Sequence, residues 1–280
     1  MSDPTGPPAE LSFSRLDELA MAAARKKISP HSYLAAMRVR TLGPLLELLN
    51  LSRSGALSID SLPLCDTRLA LQSASNDTNH GHGVYLANAR TRIGFIKTSR
   101  DPKAEDDTQW VAFCRKTQEA AESSAIPKPV AQSLVGAMRE MESNLHEHSQ
   151  RPHDGIVGFR STTGNFEFVV ADSGIGILNG LKQSPDYSAL SDAGSAIQLA
   201  LTNGHSRLKY IDPGRGFGFH DLFVGLANLN SELRFRSDDH ALLIDGTSPS
   251  LMNARLSQKA RLQGFVASVT CHVVARSIHH

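Results

Sequence analysis

The residues best placed to do chemistry begin with Glu140 and Asn144, one turn apart in a stretch that reads as a helix from about Val130 to Ser149. On a helical wheel Leu134, Met138, Met141 and Leu145 form an apolar stripe, and Glu140, Asn144 and His148 form a polar row on its flank. A carboxylate there can polarise a water, and an amide oxygen one turn on can join the shell of a hard cation such as Mg2+. A solvated surface pair has the same spacing. The second group is Asp172-Ser-Gly-Ile-Gly176, placed straight after the predicted strand FEFVVA. A strand ending in Asp, with glycines two apart behind it, sets a carboxylate beside backbone that can approach a flat ligand closely. Such a carboxylate can accept a hydrogen bond from an exocyclic amine, although a plain strand exit reads the same way. The third group is Gly214-Arg-Gly-Phe-Gly218, just ahead of another helical stretch. Its glycines free the backbone, the N–H groups that follow can cradle phosphate oxygens, and Arg215 adds a cation. It lacks the Lys-Ser/Thr ending of a Walker loop and the strand that precedes a Rossmann fingerprint.

Elements must position these groups. Residues 1–10, with three prolines and a glycine, read as a disordered tail. Periodicity predicts a helix from Ser12 to Lys27 and another from about Ser32 to Leu51, with Gly43-Pro44 marking a kink or break. Apolar pieces at Leu57–Ile59, Val84–Leu86 and Ile93–Ile96, with a loop from Ser73 to Gly83, suggest a small α/β unit. A charged segment, Arg100 to Asp107, precedes a helix anchored by Trp110, Val111 and Phe113. Past Pro127, strands are predicted at Gly155–Arg160, Asn165–Ala171, Glu232–Arg236, Ala241–Asp245 and Phe265–Val274, and helices near Ala193–Asn203 and Phe219–Asn230. This order predicts an α/β fold: a two-layer sandwich with a mixed, largely antiparallel sheet, plus an N-terminal α/β or helical extension. The expected division is a tail at 1–10, a sensor or partner-docking region at 11–125 and the chemical unit at 126–280.

Composition narrows the function classes. Over 280 residues, 29 Lys+Arg against 28 Asp+Glu leave a net charge of +1, which gives no global footprint for nucleic acid or anionic lipid. No apolar run approaches the ~20 residues of a membrane-spanning helix, and the first residues lack a secretory pattern. Cys65, Cys114 and Cys271 are odd in number and far apart, so a reduced, cytoplasmic setting is expected. His146 and His148, two apart on a helix, point in different directions and do not make a zinc pair. Cys271 reads as a small buried hydrophobe, and the RFR at Arg234–Arg236 as a half-exposed strand.

Taken together, the three groups resemble the ATP-binding domain shared by gyrase, the heat-shock ATPase chaperones, histidine kinases and MutL, the Bergerat fold. EMESNLHEHS at 140–149 looks like that superfamily's N box, VADSGIGI at 170–177 like its first glycine box, and GRGFGF at 214–219 like its second. The resemblance spans a little over half the chain. It implies that Asn144 holds Mg2+ against the triphosphate of ATP, and that Glu140 orients or deprotonates the attacking water. It also implies that Asp172 binds the adenine amine, that Gly174 and Gly176 shape the base pocket, and that Gly216 and Gly218 pass the phosphates to the next helix. The segment Leu178–Pro213 would then be the lid, with Lys182, Arg207 and Lys209 as candidate γ-phosphate contacts. One departure stands out. The superfamily commonly opens its last strand with Gly-Thr, the Thr binding the base through water, whereas this chain has Gly264-Phe265 with Thr270 further on.

Three outputs fit such a module. The preferred one is slow Mg2+-dependent ATP hydrolysis in an ATP-gated switch that signals to a protein partner through 11–125. The second is a serine or histidine protein kinase, of the anti-sigma or sensor type. The third is a non-catalytic nucleotide-binding module. His31 is followed by Ser32 and Tyr33, which lacks the phosphoacceptor pattern of a sensor kinase. No transducer domain of the gyrase, MutL or heat-shock kind is expected after the last strand. A homodimer is left open.

Overall fold

Strands from both halves of the chain pair into one six-stranded sheet, and helices cover both of its faces. The computed structural model describes residues 9–26, 28–77, 81–98, 108–201, 230–245 and 254–273. Its strands are β1 (Ala9–Glu10), β2 (Met37–Arg38), β3 (Val84–Ala87), β4 (Thr91–Thr98), β5 (Gly155–Thr162), β6 (Asn165–Asp172), β7 (Asn230–Asp245) and β8 (Arg255–His272). Its helices are α1 (Phe13–Ala24), α2 (His31–Ala35), α3 (Leu42–Arg53), α4 (Asp66–Ser75), α5 (Thr108–Ser123), α6 (Lys128–His148), α7 (Gly176–Leu181) and α8 (Ala193–Leu201).

The main sheet runs β3-β4-β5-β6-β8-β7 with every described pairing antiparallel, and the parallel pairing is confined to the short β1 and β2. Alternate side chains along each strand point to opposite faces. Phe166, Phe168 and Val170 of β6 therefore join Phe113, Leu134, Met138, Met141 and Ile197 on one face. This face and its helices α5, α6 and α8 form the two-layer α/β sandwich that the sequence predicts. Val169 and Ala171 point the other way, into a second core with Leu16, Leu34, Leu45, Leu48 and Leu71 from the N-terminal helices. Coverage on both faces explains why Phe168 to Ala171 is a continuous apolar run instead of alternating.

β4 pairs with β5 along its whole length, from Thr91 opposite Thr162 to Thr98 opposite Gly155, so the sheet crosses the expected boundary at residue 125 without a break. Of the three pieces expected in a small α/β unit, Val84–Leu86 and Ile93–Ile96 lie in its strands β3 and β4, and Leu57–Ile59 lies in no strand. Between residues 31 and 53 the single expected helix is two helices separated by β2. Gly43-Pro44 lies in the first turn of α3, where a proline's missing N–H is harmless. α4 forms where part of a loop was expected, with Ala70, Leu71 and Ala74 turned to the core. In α5, Trp110 and Phe113 are buried, but Val111 is 60% exposed and is not an anchor.

β7 is one strand where two were expected, and β8 starts ten residues before Phe265. The register shifts of a bulge sit at Asp238, whose φ is +51°. The bulge resets the alternation, so Leu233 and Phe235 before it and Leu242 and Ile244 after it all face the same core. Arg234 and Arg236, expected on a half-exposed strand, are buried against the N-terminal helices. Arg234 Nε donates to Glu47 at 2.7 Å and its Nη2 to Asp17 at 2.8 Å, while Arg236 donates to the Ala260 carbonyl. Cys271 is a buried strand residue as expected, its thiol pushed up to about 12 by burial.

Candidate functional site

β6 carries Asp172 to the end of the sheet, opposite Phe265 of β8, and the chain then turns through Ser173, Gly174 and Ile175 into α7. The Asp172 side chain sits in a residue only 3% exposed, and its Oδ1 accepts the Gly174 N–H at 2.6 Å. Burial pushes its pKa up to about 7; the Gly174 N–H and the Arg53 charge pull it down, and Asp154 adds to the rise. A carboxylate held this way is a hydrogen-bond acceptor that changes state near neutral pH.

Close approach dictates the glycines. A Cβ on Gly174 would collide with the Ser149 carbonyl oxygen at the end of α6 and lie 2.6 Å from Ser149 Cβ. Gly264 has φ +82°, and a Cβ there would strike the Asp172 carbonyl. Gly176 opens α7 at φ +75°, beside Ser237 Oγ. Hydrogen bonds close the same junction. Ile175 N–H donates to the Ser149 carbonyl at 3.0 Å, and Ser237 Oγ accepts the Ile177 N–H at 3.0 Å while donating to the Gly264 carbonyl at 2.9 Å. Gly264 is thus built against Asp172, while Thr270 lies opposite Glu167, well down the strand.

α6 ends against this turn at Ser149. Its stripe of Leu134, Met138, Met141 and Leu145 is buried as the wheel predicts, and Glu140 and Asn144 are half-buried on one flank. On the opposite flank lies a pair that the sequence reading passed over: His146 Nε2 and Glu142 Oε1 are 2.8 Å apart, both side chains 1% exposed. An amide oxygen with a carboxylate one turn away is a donor set that fits Mg2+, which binds few protein ligands and keeps several waters. No group of three or more His, Cys, Asp and Glu able to hold a metal occurs among the described residues.

The structure therefore brings the C-terminal end of the helix that carries Glu140 and Asn144 against the Asp172–Gly176 turn, through Ser149. Lys209, Arg215, Gly216 and Gly218, with the helix expected from Phe219, lie outside the described residues, as does Arg207. Lys182 is exposed just after α7. Within the stretch expected as a lid, α8 packs Ala196, Ile197 and Leu201 into the core. Ser237, Asn50 and Gln263 also hold the turn, and no local signal marks them, because their partners are distant in sequence. No helix among the described residues is long and apolar enough to cross a membrane. No family model matches this chain, and no curated protein matches it.

Proposed function

We propose that the chain binds ATP with Mg2+ and hydrolyses it slowly, as an ATP-gated switch acting on a protein partner in a cytoplasmic setting. The observation that carries this reading is the junction of α6 with the Asp172–Gly176 turn, sealed by the Ile175–Ser149 hydrogen bond. Two stretches with independent chemical reasons to touch one nucleotide meet there, over a buried carboxylate. In this reading the ionised Asp172 accepts from the adenine amine, and the turn through Gly174 and Gly176 shapes the base pocket. Asn144 holds the ion by its amide oxygen, and Mg2+, when bound, neutralises charge on the triphosphate. Glu140 orients a water and takes its proton as the oxygen attacks the γ-phosphorus; the bond to the ADP oxygen breaks, leaving ADP and phosphate. Phosphate contacts fall to Arg215, Gly216, Gly218 and Lys209.

Incubation with γ-labelled ATP and Mg2+ tests the reading. Wild type should release labelled phosphate to water; label transferred to protein would move the assignment to a kinase. Glu140→Ala should keep ATP binding and lose about 100-fold or more in turnover. Asn144→Ala should weaken binding only when Mg2+ is present. Unchanged turnover in the Glu140 variant removes that residue from the mechanism.

A further inference from the structure

Asn50 lies near the C-terminal end of α3, 122 residues from Asp172, and is fully buried. Its Nδ2 donates to the Asp172 carbonyl at 2.5 Å and, at the longer distance of 3.4 Å, to the Gln263 carbonyl. Both neighbours can only accept, so the amide nitrogen must face them. Gln263 Nε2 in turn donates to the Ser173 carbonyl at 3.0 Å. The two peptide groups that follow the Asp172 side chain are therefore held by side chains from α3 and β8. At its other end α3 is held by the same strand: Glu167 of β6 accepts the Leu42 N–H at 2.8 and 2.9 Å and the Gly43 N–H at 2.7 Å. β6 thus grips α3 at both ends.

The amide at position 50 is only half matched as a purely structural group: its Nδ2 serves two carbonyls, but its Oδ1 is buried with no partner among the described residues. What the amide does achieve is to fix the tilt of the 172–173 peptide, and with it the reach of the carboxylate that branches from the same Cα. We propose that Asn50 is a positioning residue for Asp172, and that through it α3 and the N-terminal helical layer are coupled to the filling of the base pocket. The proposal rests on the nucleotide reading above. Because such coupling is reciprocal, whatever holds α3 tightens the pocket, and a base in the pocket tightens α3.

The test uses the full chain, with ATP and GTP as probes in the presence of Mg2+. Asn50→Leu should bind ATP about tenfold or more weakly and lose most of its preference for ATP over GTP, with kcat at saturating ATP changing less than affinity. Asn50→Gln, which keeps the donor, should recover part of that preference. A lowered melting temperature with the ATP preference intact would mean a purely structural role and overturns the proposal. Should Asn50→Leu fail to fold, hydrogen exchange in the wild type decides. ATP must slow exchange at the α3 amides, and protection confined to the 172–176 turn is the contrary result. Wild type that binds no ATP ends both readings, whereas ATP binding that is lost in Asp172→Asn and normal in Asn50→Leu ends this one alone.

Discussion

Burying Asp172 works against folding. With its pKa raised to about 7 from an ordinary 3.8, the folded chain holds this proton more tightly than the unfolded chain does. The native state has its full advantage below about pH 4, loses it as pH rises toward 7, and is at its least favoured above that. Asp172→Asn keeps an oxygen for the Gly174 N–H and removes the ionisation. It should therefore stabilise the ligand-free protein above pH 7, by up to about 4 kcal/mol at 1.36 kcal/mol per pH unit, and have little effect near pH 4. Urea unfolding at pH 8 and pH 4 checks this; a variant less stable than wild type at pH 8 would show that ionised Asp172 supports the fold. At this scale much of the site was legible. Asp172, Gly174, Gly176, Glu140 and Asn144 announce themselves by type and spacing within short stretches. Ser237 and Asn50 do not, because a serine or asparagine acquires its role only from a carbonyl brought in by the fold.

Among the elements, α3 shows why local reading has limits. Leu42 to Arg53 reads as helix, but nothing nearby in sequence says that its first N–H groups are capped by a carboxylate 125 residues away. Burial raises the pKa of Glu167, and the Leu42 and Gly43 N–H groups, with Arg160, oppose the rise. Glu167→Ala would leave those N–H groups buried without a partner. The loss should be about 2–3 kcal/mol in urea unfolding, in a single transition, since α3 and β6 belong to one packed unit. A change within about 0.5 kcal/mol would mean that the cap is replaceable. The reading of β7 failed for a related reason. Arg234 and Arg236 look like a wet face until Asp17 and Glu47 arrive from α1 and α3 to pair with them. The bulge at Asp238 likewise breaks the period-two pattern on which strand recognition depends.

In the whole molecule, residues 84–98 and 155–162 lie side by side in one sheet, and the N-terminal helices seal the face that the α6 layer leaves open. The region before residue 125 is therefore positioned to feel changes at the end of β6. The sandwich was legible because its strands and α6 are long and strongly patterned. In the N-terminal layer α1 and α3 were legible as helices, but their docking on the sheet was not, since it depends on partners distant in sequence. The central claim, that Asp172 and the α6 flank serve one adenine nucleotide, is tested most directly by titration calorimetry of the full chain with ATP and Mg2+ at pH 8 and pH 6. With Oδ1 taken by the Gly174 N–H, the amine is left Oδ2, which a proton or the Asn amide nitrogen turns into a donor, so binding should saturate at pH 8, weaken about tenfold at pH 6 and vanish in Asp172→Asn. Equal affinity at the two pH values, or no saturable heat from wild type at pH 8, would contradict the account.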